Sequence, residues 1–260
     1  MKKLFFVVAA FVAFESCNNK SSGKKFQVSG TLVNNKATKI YLDELPMTTM
    51  QRIVVDSAII GSNGKYKLKA DMQEARIYSL RIDNNPAPLA DIINDASDIT
   101  VDITFNKEDN RYLEKYEVSG SKASTMMKDF LVAFNNKLQA IYQNDIKADS
   151  LRKSAGTDSA IAALDIERAA IAASTKNLVL ESVNQSVNPA LTMIELGYYQ
   201  STANNPGYRL EPVTNEEVSK IVSSTVAKFP DHQGIAMIKN SLDADAVRMQ
   251  GKVGQQAPDF

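Results

Sequence analysis

The sequence predicts an α+β protein in which an N-terminal antiparallel β-sandwich or barrel-like domain precedes an all-helical segment. Apolar and polar residues alternate from Phe26 to about Gly120, and turn residues divide this stretch into roughly eight short runs. From residue 121 onward, apolar residues recur at spacings of three and four, which indicates helices. We therefore divide the folded part of the chain into a β-sandwich domain at 26–120 and a helical domain at 121–250.

The N-terminus is typical of an exported lipoprotein. Two lysines follow the first residue, and an unbroken apolar run at 4–14 has the length of a signal peptide. Ser16 and Cys17 then resemble the end of a bacterial lipobox, from which Glu15 departs. We predict that residues 1–17 are a lipoprotein signal peptide with its lipobox, which ends at Cys17.

Cys17 is the only cysteine of the chain, which excludes an internal disulfide, a CxxC motif and a cysteine-rich zinc site. We expect Cys17 to become the lipidated first residue of the mature protein, since several acyl chains together give stable anchoring. The alternative is an incidental thiol. Residues 18–25 are polar and suit a flexible tether.

The signal peptide and the lipobox also predict where the protein is located and what it contacts. The expected location is the cell envelope, with the folded part facing the periplasm and attached to a membrane through lipid. An envelope protein or peptide is a further candidate partner. The 30 basic and 30 acidic residues cancel, so composition gives no reason to expect a nucleic-acid partner.

Within the β domain, the strongest local signal is a hairpin. Ser62, Asn63 and Gly64 separate two β-rich runs, and an Asn-Gly pair supplies the positive φ angles of a tight turn. Pro86 and Pro88 indicate a loop or an edge strand, because proline cannot donate to a sheet ladder.

The sequence predicts no catalytic, cofactor-binding or metal site. Asp91, Asp95 and Asp98 could be imagined as a calcium loop, but they lack the glycine turn and final glutamate of an EF-hand. We interpret them as turn acids at strand ends. His232 is the only histidine, and its position after "FPD" is typical of a solvated residue at a helix start.

The spacing of apolar residues and the capping signals after residue 120 predict five helices. The first has a continuous apolar stripe and the second begins near Thr157, with only "SAGT" between them, which favours an antiparallel pair. The stripe of the first helix consists of Met127, Leu131, Phe134, Leu138 and Ile141.

The later helices carry capping signals. Asn188 with Pro189 predicts the start of the third helix, and Thr214 with Glu217 has the spacing of a capping box for the fourth. Asp231 is the expected cap of the fifth.

Ser150 and Ser159 flank the turn between the first two helices. Each lies in an Asp-Ser-aliphatic triplet, which resembles an O-glycosylation signal of Bacteroidota. We predict both as candidate O-glycosylation sites on the surface.

The last residues, "VGQQAPDF", resemble the opening strand of the TlpA/ResA-like thioredoxin family, which includes AhpC/TSA-related members. The resemblance rests on Gly254, Ala257, Pro258 and Phe260, after a lipoprotein signal, a β domain and a helical segment. It is the architecture of envelope thiol-disulfide oxidoreductases of Bacteroidota, in which the β domain has no assigned function. It implies that residues 251–260 are a linker and the start of a thioredoxin-like domain.

In that family the redox chemistry belongs to a CxxC at the start of a helix, and no residue of this chain matches it. The resemblance therefore implies a non-catalytic, membrane-anchored N-terminal region of an envelope thiol-disulfide oxidoreductase acting in redox homeostasis, without enzyme activity or cofactor of its own. The alternative is a free-standing lipoprotein module that binds a peptide or glycan. A glycosidase ranks last, since no paired carboxylates stand out.

Overall fold

The structure, a computed structural model, describes residues 24–250 except 48, 50, 73, 155 and 156. The predicted signal peptide, Cys17, nearly all of the tether and residues 251–260 lie outside the described residues. Eight strands are followed by five helices, which confirms the predicted α+β fold with a β domain before a helical segment.

The strands form two four-stranded sheets that pack face to face. The first sheet has the order β4-β1-β7-β8 and the second has the order β3-β2-β5-β6. Inward-facing apolar side chains of both sheets fill one core, which includes Phe26, Val28, Leu42, Leu80 and Val101. The strands are β1 (Lys25–Val33), β2 (Lys39–Leu45), β3 (Ile53–Ile59), β4 (Lys65–Asp71), β5 (Ile77–Ile82), β6 (Asn85–Ile93), β7 (Asp98–Phe105) and β8 (Leu113–Ser119).

One pair of strands departs from the expected antiparallel arrangement, because β1 and β7 run parallel at the centre of the first sheet. Gly30 of β1 lies against β7 so closely that a Cβ atom there would overlap the carbonyl oxygen of Val101. The hydroxyl of Tyr66 donates to the same carbonyl at 2.6 Å. The absence of a side chain at Gly30 thus allows this close approach.

The predicted hairpin at Ser62–Gly64 is wrong as a pairing, although the turn exists. Gly64 has φ 77°, and the amide of Gly61 donates to the carbonyl of Lys65 at 2.9 Å. However, β3 belongs to the second sheet and β4 to the first, so the turn carries the chain between sheets. β3 pairs with β2 and β4 pairs with β1, and the local turn signal does not encode either of these partners.

The predicted edge position of Pro86 and Pro88 is confirmed, since both lie in β6 at the edge of the second sheet. β6 forms a hairpin with β5, in which Ile82 pairs with Asn85.

The helices are α1 (Lys122–Lys153), α2 (Asp158–Gln185), α3 (Pro189–Ala203), α4 (Asn215–Lys228) and α5 (Gln233–Gln250). The first two form the predicted antiparallel pair, because Lys137 contacts Ser174 and Arg152 contacts Asp165. The predicted capping box of α4 is also present, with both of its hydrogen bonds.

The helices cover part of the outer face of the second sheet. A small apolar cluster joins Ile77 and Ile93 of the sheet to Met127 of α1 and to Leu191 and Ile194 of α3. The chain between β6 and α1 is fixed as well, because the amide of Ile93 donates to the hydroxyl of Ser124 at 2.8 Å. This contact surface positions the cavity described next.

Candidate functional site

A row of polar side chains crosses the outer face of the second sheet. Asp43 of β2 pairs in register with Ser79 of β5, and Ser79 pairs with Asp91 of β6. Side chains that are in register on neighbouring strands share one face of the sheet, so the serine lies between the two aspartates.

The two aspartates have different surroundings. Asp43 is fully buried and accepts a hydrogen bond at 2.6 Å from Arg81, whose guanidinium also lies 4.1 Å from the ring centre of Tyr41. This charge is therefore neutralised within the protein. In the part of the chain that the structure describes, Asp91 forms no ion pair: its two oxygens accept from the hydroxyl of Ser79 and, at 3.2 Å, from that of Tyr198 on α3.

Asp91 opens into a cavity of about 520 Å³ between the second sheet and helices α3 and α5. This volume lies within the range of small-molecule sites. The wall is mostly apolar, and among the described residues that line it Asp91 is the only charged one. The apolar lining consists of Leu45, Met47, Ile77, Met193, Ile194 and Ile238, and the polar lining consists of Asp91, Tyr198 and Ser201.

One wall of the cavity is a single face of α3, because residues 193, 194, 197, 198 and 201 recur at helical spacing. Gly197 lies in the middle of this face, and a Cβ atom added there would meet no atom within 4 Å. The glycine is therefore not required for close packing of backbones. Gly197 is itself exposed, so the missing side chain leaves this part of the cavity wall open.

The electrostatics of the cavity centre on Asp91. Burial raises the pKa of this carboxyl, while hydrogen bonds from Ser79 and Tyr198 and the charge of Arg52 act in the opposite direction. The guanidinium of Arg52 donates instead to the carbonyl of Pro86, at 2.8 Å. Tyr116 of β8 is also close: burial and the charge of Asp91 raise its pKa to about 12.

Ser79 is a positioning residue for Asp91 and not a candidate nucleophile. It is 1% exposed, and its hydroxyl is already used to hold Asp91. The geometry therefore supports binding through a fixed, partly buried carboxyl in the wall of a mostly apolar cavity.

His232 does not lie where the sequence predicts, because it is 7% exposed and joins the two halves of the molecule. Its Nδ1 accepts from the amide of Ile235 at 3.1 Å, so His232, and not Asp231, caps α5. Its Nε2 lies 2.7 Å from the carbonyl of Ala75. In this arrangement Nδ1 is the acceptor and Nε2 is the donor. His232 thus positions α5, which contributes Ile238 to the cavity.

The acidic residues singled out in the sequence have three different positions. Asp91 is not a turn acid but lies within β6 and faces the cavity. Asp95 accepts from the amide of Ala123 at 2.8 Å and so caps the first turn of α1, while Asp98 is exposed at the start of β7. The signal that could have identified Asp91 is its position inside the apolar run "LADII".

The candidate glycosylation sites are both exposed. Ser150 lies in the last turn of α1 and Ser159 in the first turn of α2. Modification of either stays a prediction, as does lipidation of Cys17, which lies outside the described residues.

Within 24–250 and outside its five omitted positions, no group of three or more His, Cys, Asp or Glu side chains could hold a metal ion. In the same part of the chain, none of the helices combines the length and the apolar character that a membrane crossing requires.

Residues 26–127 match a family model described as a domain of unknown function, DUF4369. The match covers the β-sandwich and the first turns of α1. Domains of this kind are commonly found in the N-terminal region of TlpA-like proteins. No curated protein matches the chain.

Proposed function

We propose that the chain is the membrane-anchored, non-catalytic N-terminal region of an envelope thiol-disulfide oxidoreductase. The observation that carries this proposal is the match of residues 26–127 to a domain commonly found in the N-terminal region of TlpA-like proteins. The lipobox-like Ser16–Cys17 and the phrase "VGQQAPDF" at 253–260 support it independently, since they lie outside the matched part.

The non-catalytic part of the proposal follows from the cysteine count. Thiol-disulfide exchange needs an attacking thiolate and usually a second, resolving thiol, and this chain has one cysteine. Insulin reduction by residues 17–260, which keep the only cysteine, should stay at background. Measurable reductase activity would contradict the proposal.

Anchoring is tested at Cys17. Mass spectrometry of the mature N-terminus should show an acylated cysteine, and the protein should partition with membranes. Cys17→Ala should lose both properties, whereas Ser62→Ala, a matched control in an exposed turn, should retain them. Retention of Met1, or a soluble protein cleaved elsewhere, would refute the anchor.

A second candidate function is a lipoprotein module that binds a peptide or glycan. The cavity at Asp91 favours it, because the site combines an apolar wall with fixed polar groups. The two functions are compatible, since a binding region can accompany a redox domain in one polypeptide.

A further inference from the structure

We propose that the cavity between the second sheet and α3 binds a ligand with an ammonium group on an apolar chain, which places the ammonium against Asp91. This inference deepens the second function above and rests on it. The ligand class follows from three features of the site, which are its charge, its apolar wall and the space in front of Gly197.

The charge of the site favours a cation. Asp91 accepts one hydrogen bond on each oxygen, from Ser79 and from Tyr198, and an ionised carboxylate has further acceptor sites on both. None of the described residues that line the cavity is basic. Because a desolvated carboxylate is unfavourable unless it is paired, a bound cation would supply the missing partner.

The existing hydrogen bonds favour an ammonium over a guanidinium. A guanidinium pairs best when it approaches both carboxylate oxygens along parallel directions. Ser79 and Tyr198 already use part of each oxygen of Asp91. An ammonium is a compact charge with three donors and can bind to the remaining sites.

The apolar wall fits a flexible chain. Met47 and Met193 lie on opposite sides of the cavity lining, one after β2 and one on α3. Methionine adapts its shape to varied apolar partners. Leu45, Ile77 and Ile238 complete a surface without competing polar groups.

The open space beside Gly197 comes with a less stable helix α3. A glycine inside a helix weakens it relative to alanine, and here no neighbouring atom requires the small residue. The open space in front of Gly197 lets a ligand chain lie along α3.

Isothermal titration calorimetry with hexylammonium, hexanol and hexanoate tests the site directly. Hexylammonium should bind about ten- to hundredfold more tightly than hexanol, which corresponds to one charge-assisted pair. Hexanoate should bind more weakly than hexanol, because its charge would repel Asp91. Equal affinity for all three, or no binding of hexylammonium, would overturn the proposal.

Two variants test separately how the charge of Asp91 and the open space beside Gly197 contribute to binding. Asp91→Asn should remove the preference for hexylammonium over hexanol, and Gly197→Leu should block both ligands. Asp98→Asn, an exposed aspartate close in sequence, is the matched control and should bind as the wild type does. Unchanged preference in Asp91→Asn would also overturn the proposal.

Neither variant is expected to unfold the protein. Asp91→Asn removes a buried ionisable group, and Gly197→Leu fills open space on a helix. Circular dichroism and thermal melting check this before titration.

Two peptides that differ only in having lysine or norleucine at one position distinguish the native source of the ammonium group. Selective binding of the lysine peptide identifies a lysine side chain. Binding of hexylammonium but of neither peptide identifies a free amine. The first proposed function is tested by membrane partitioning and insulin reduction, and neither result depends on amine binding. A failure of amine binding is therefore distinguishable from a failure of that function.

Discussion

Replacing Glu195 with glutamine should remove a loss of unfolding free energy that the wild type shows between about pH 5 and pH 8. Glu195 lies on α3 and is 0% exposed. The hydroxyl of Ser182 donates to its Oε1 at 2.7 Å, and its Oε2 has no hydrogen-bond partner in the described part of the chain. Burial raises the pKa of this carboxyl from 4.5 to about 7, although the bond from Ser182 acts in the opposite direction.

The sign follows from proton linkage. A carboxyl whose pKa is raised by folding binds its proton more tightly in the folded state, so its contribution is intact below about pH 4.5 and is lost as pH rises through about 7. Between about pH 5 and pH 8 the wild type should lose roughly 2 to 3 kcal/mol of unfolding free energy from this group alone. The raised pKa of Asp91 adds a change of the same sign.

Glu195→Gln keeps the shape and the acceptor for Ser182 but cannot ionise. Urea unfolding should therefore show it near the wild-type stability at about pH 5 and roughly 2 to 3 kcal/mol above the wild type at about pH 8. Glu181→Gln, an exposed glutamate on α2, is the matched control and should follow the wild type. If Glu195→Gln also followed the wild type at both pH values, the carboxyl would not be desolvated as the structure indicates.

Three further substitutions test the packing of the first sheet and the start of helices α3 and α5. Gly30→Ala should lower the free energy of unfolding in urea by more than about 2 kcal/mol, because the new methyl group would overlap the carbonyl of Val101; an unchanged midpoint would mean that β1 and β7 are farther apart. Asn188→Ala should cost about 1 kcal/mol of thermal stability through loss of the α3 cap, and a melting temperature equal to that of the wild type would argue against the cap. His232→Ala should speed hydrogen exchange at the amide of Ile235 and along the first turn of α5, and unchanged protection there would show that the histidine does not hold this helix.

The sequence was sufficient for features that depend on local chemistry. The caps at Asn188 and Thr214 and the edge position of Pro86 all follow from which backbone groups a residue can satisfy or withhold. The apolar stripe of α1 is local in the same sense, since Met127 and Phe134 are buried as their spacing predicts.

Features that depend on distant partners were not predictable in this way. Asn63–Gly64 indicates a turn, but whether β3 and β4 pair depends on the other strands available to each, since β3 joins β2 and β4 joins β1. Asp91 gains its role from Ser79 in another strand and from Tyr198, which is more than a hundred residues away in the chain. His232 is buried only because Ala75 and α5 meet around it.

We propose that these residues form the N-terminal region of a larger envelope thiol-disulfide oxidoreductase, and peptide mapping of the native protein tests this proposal most directly. The protein would be isolated from membranes of its own cells, digested and analysed by mass spectrometry. We predict a peptide that continues beyond Phe260 and, about thirty to fifty residues farther on, a peptide with a CxxC motif. A native polypeptide that ends at Phe260, or one that continues without a CxxC motif, would contradict the claim.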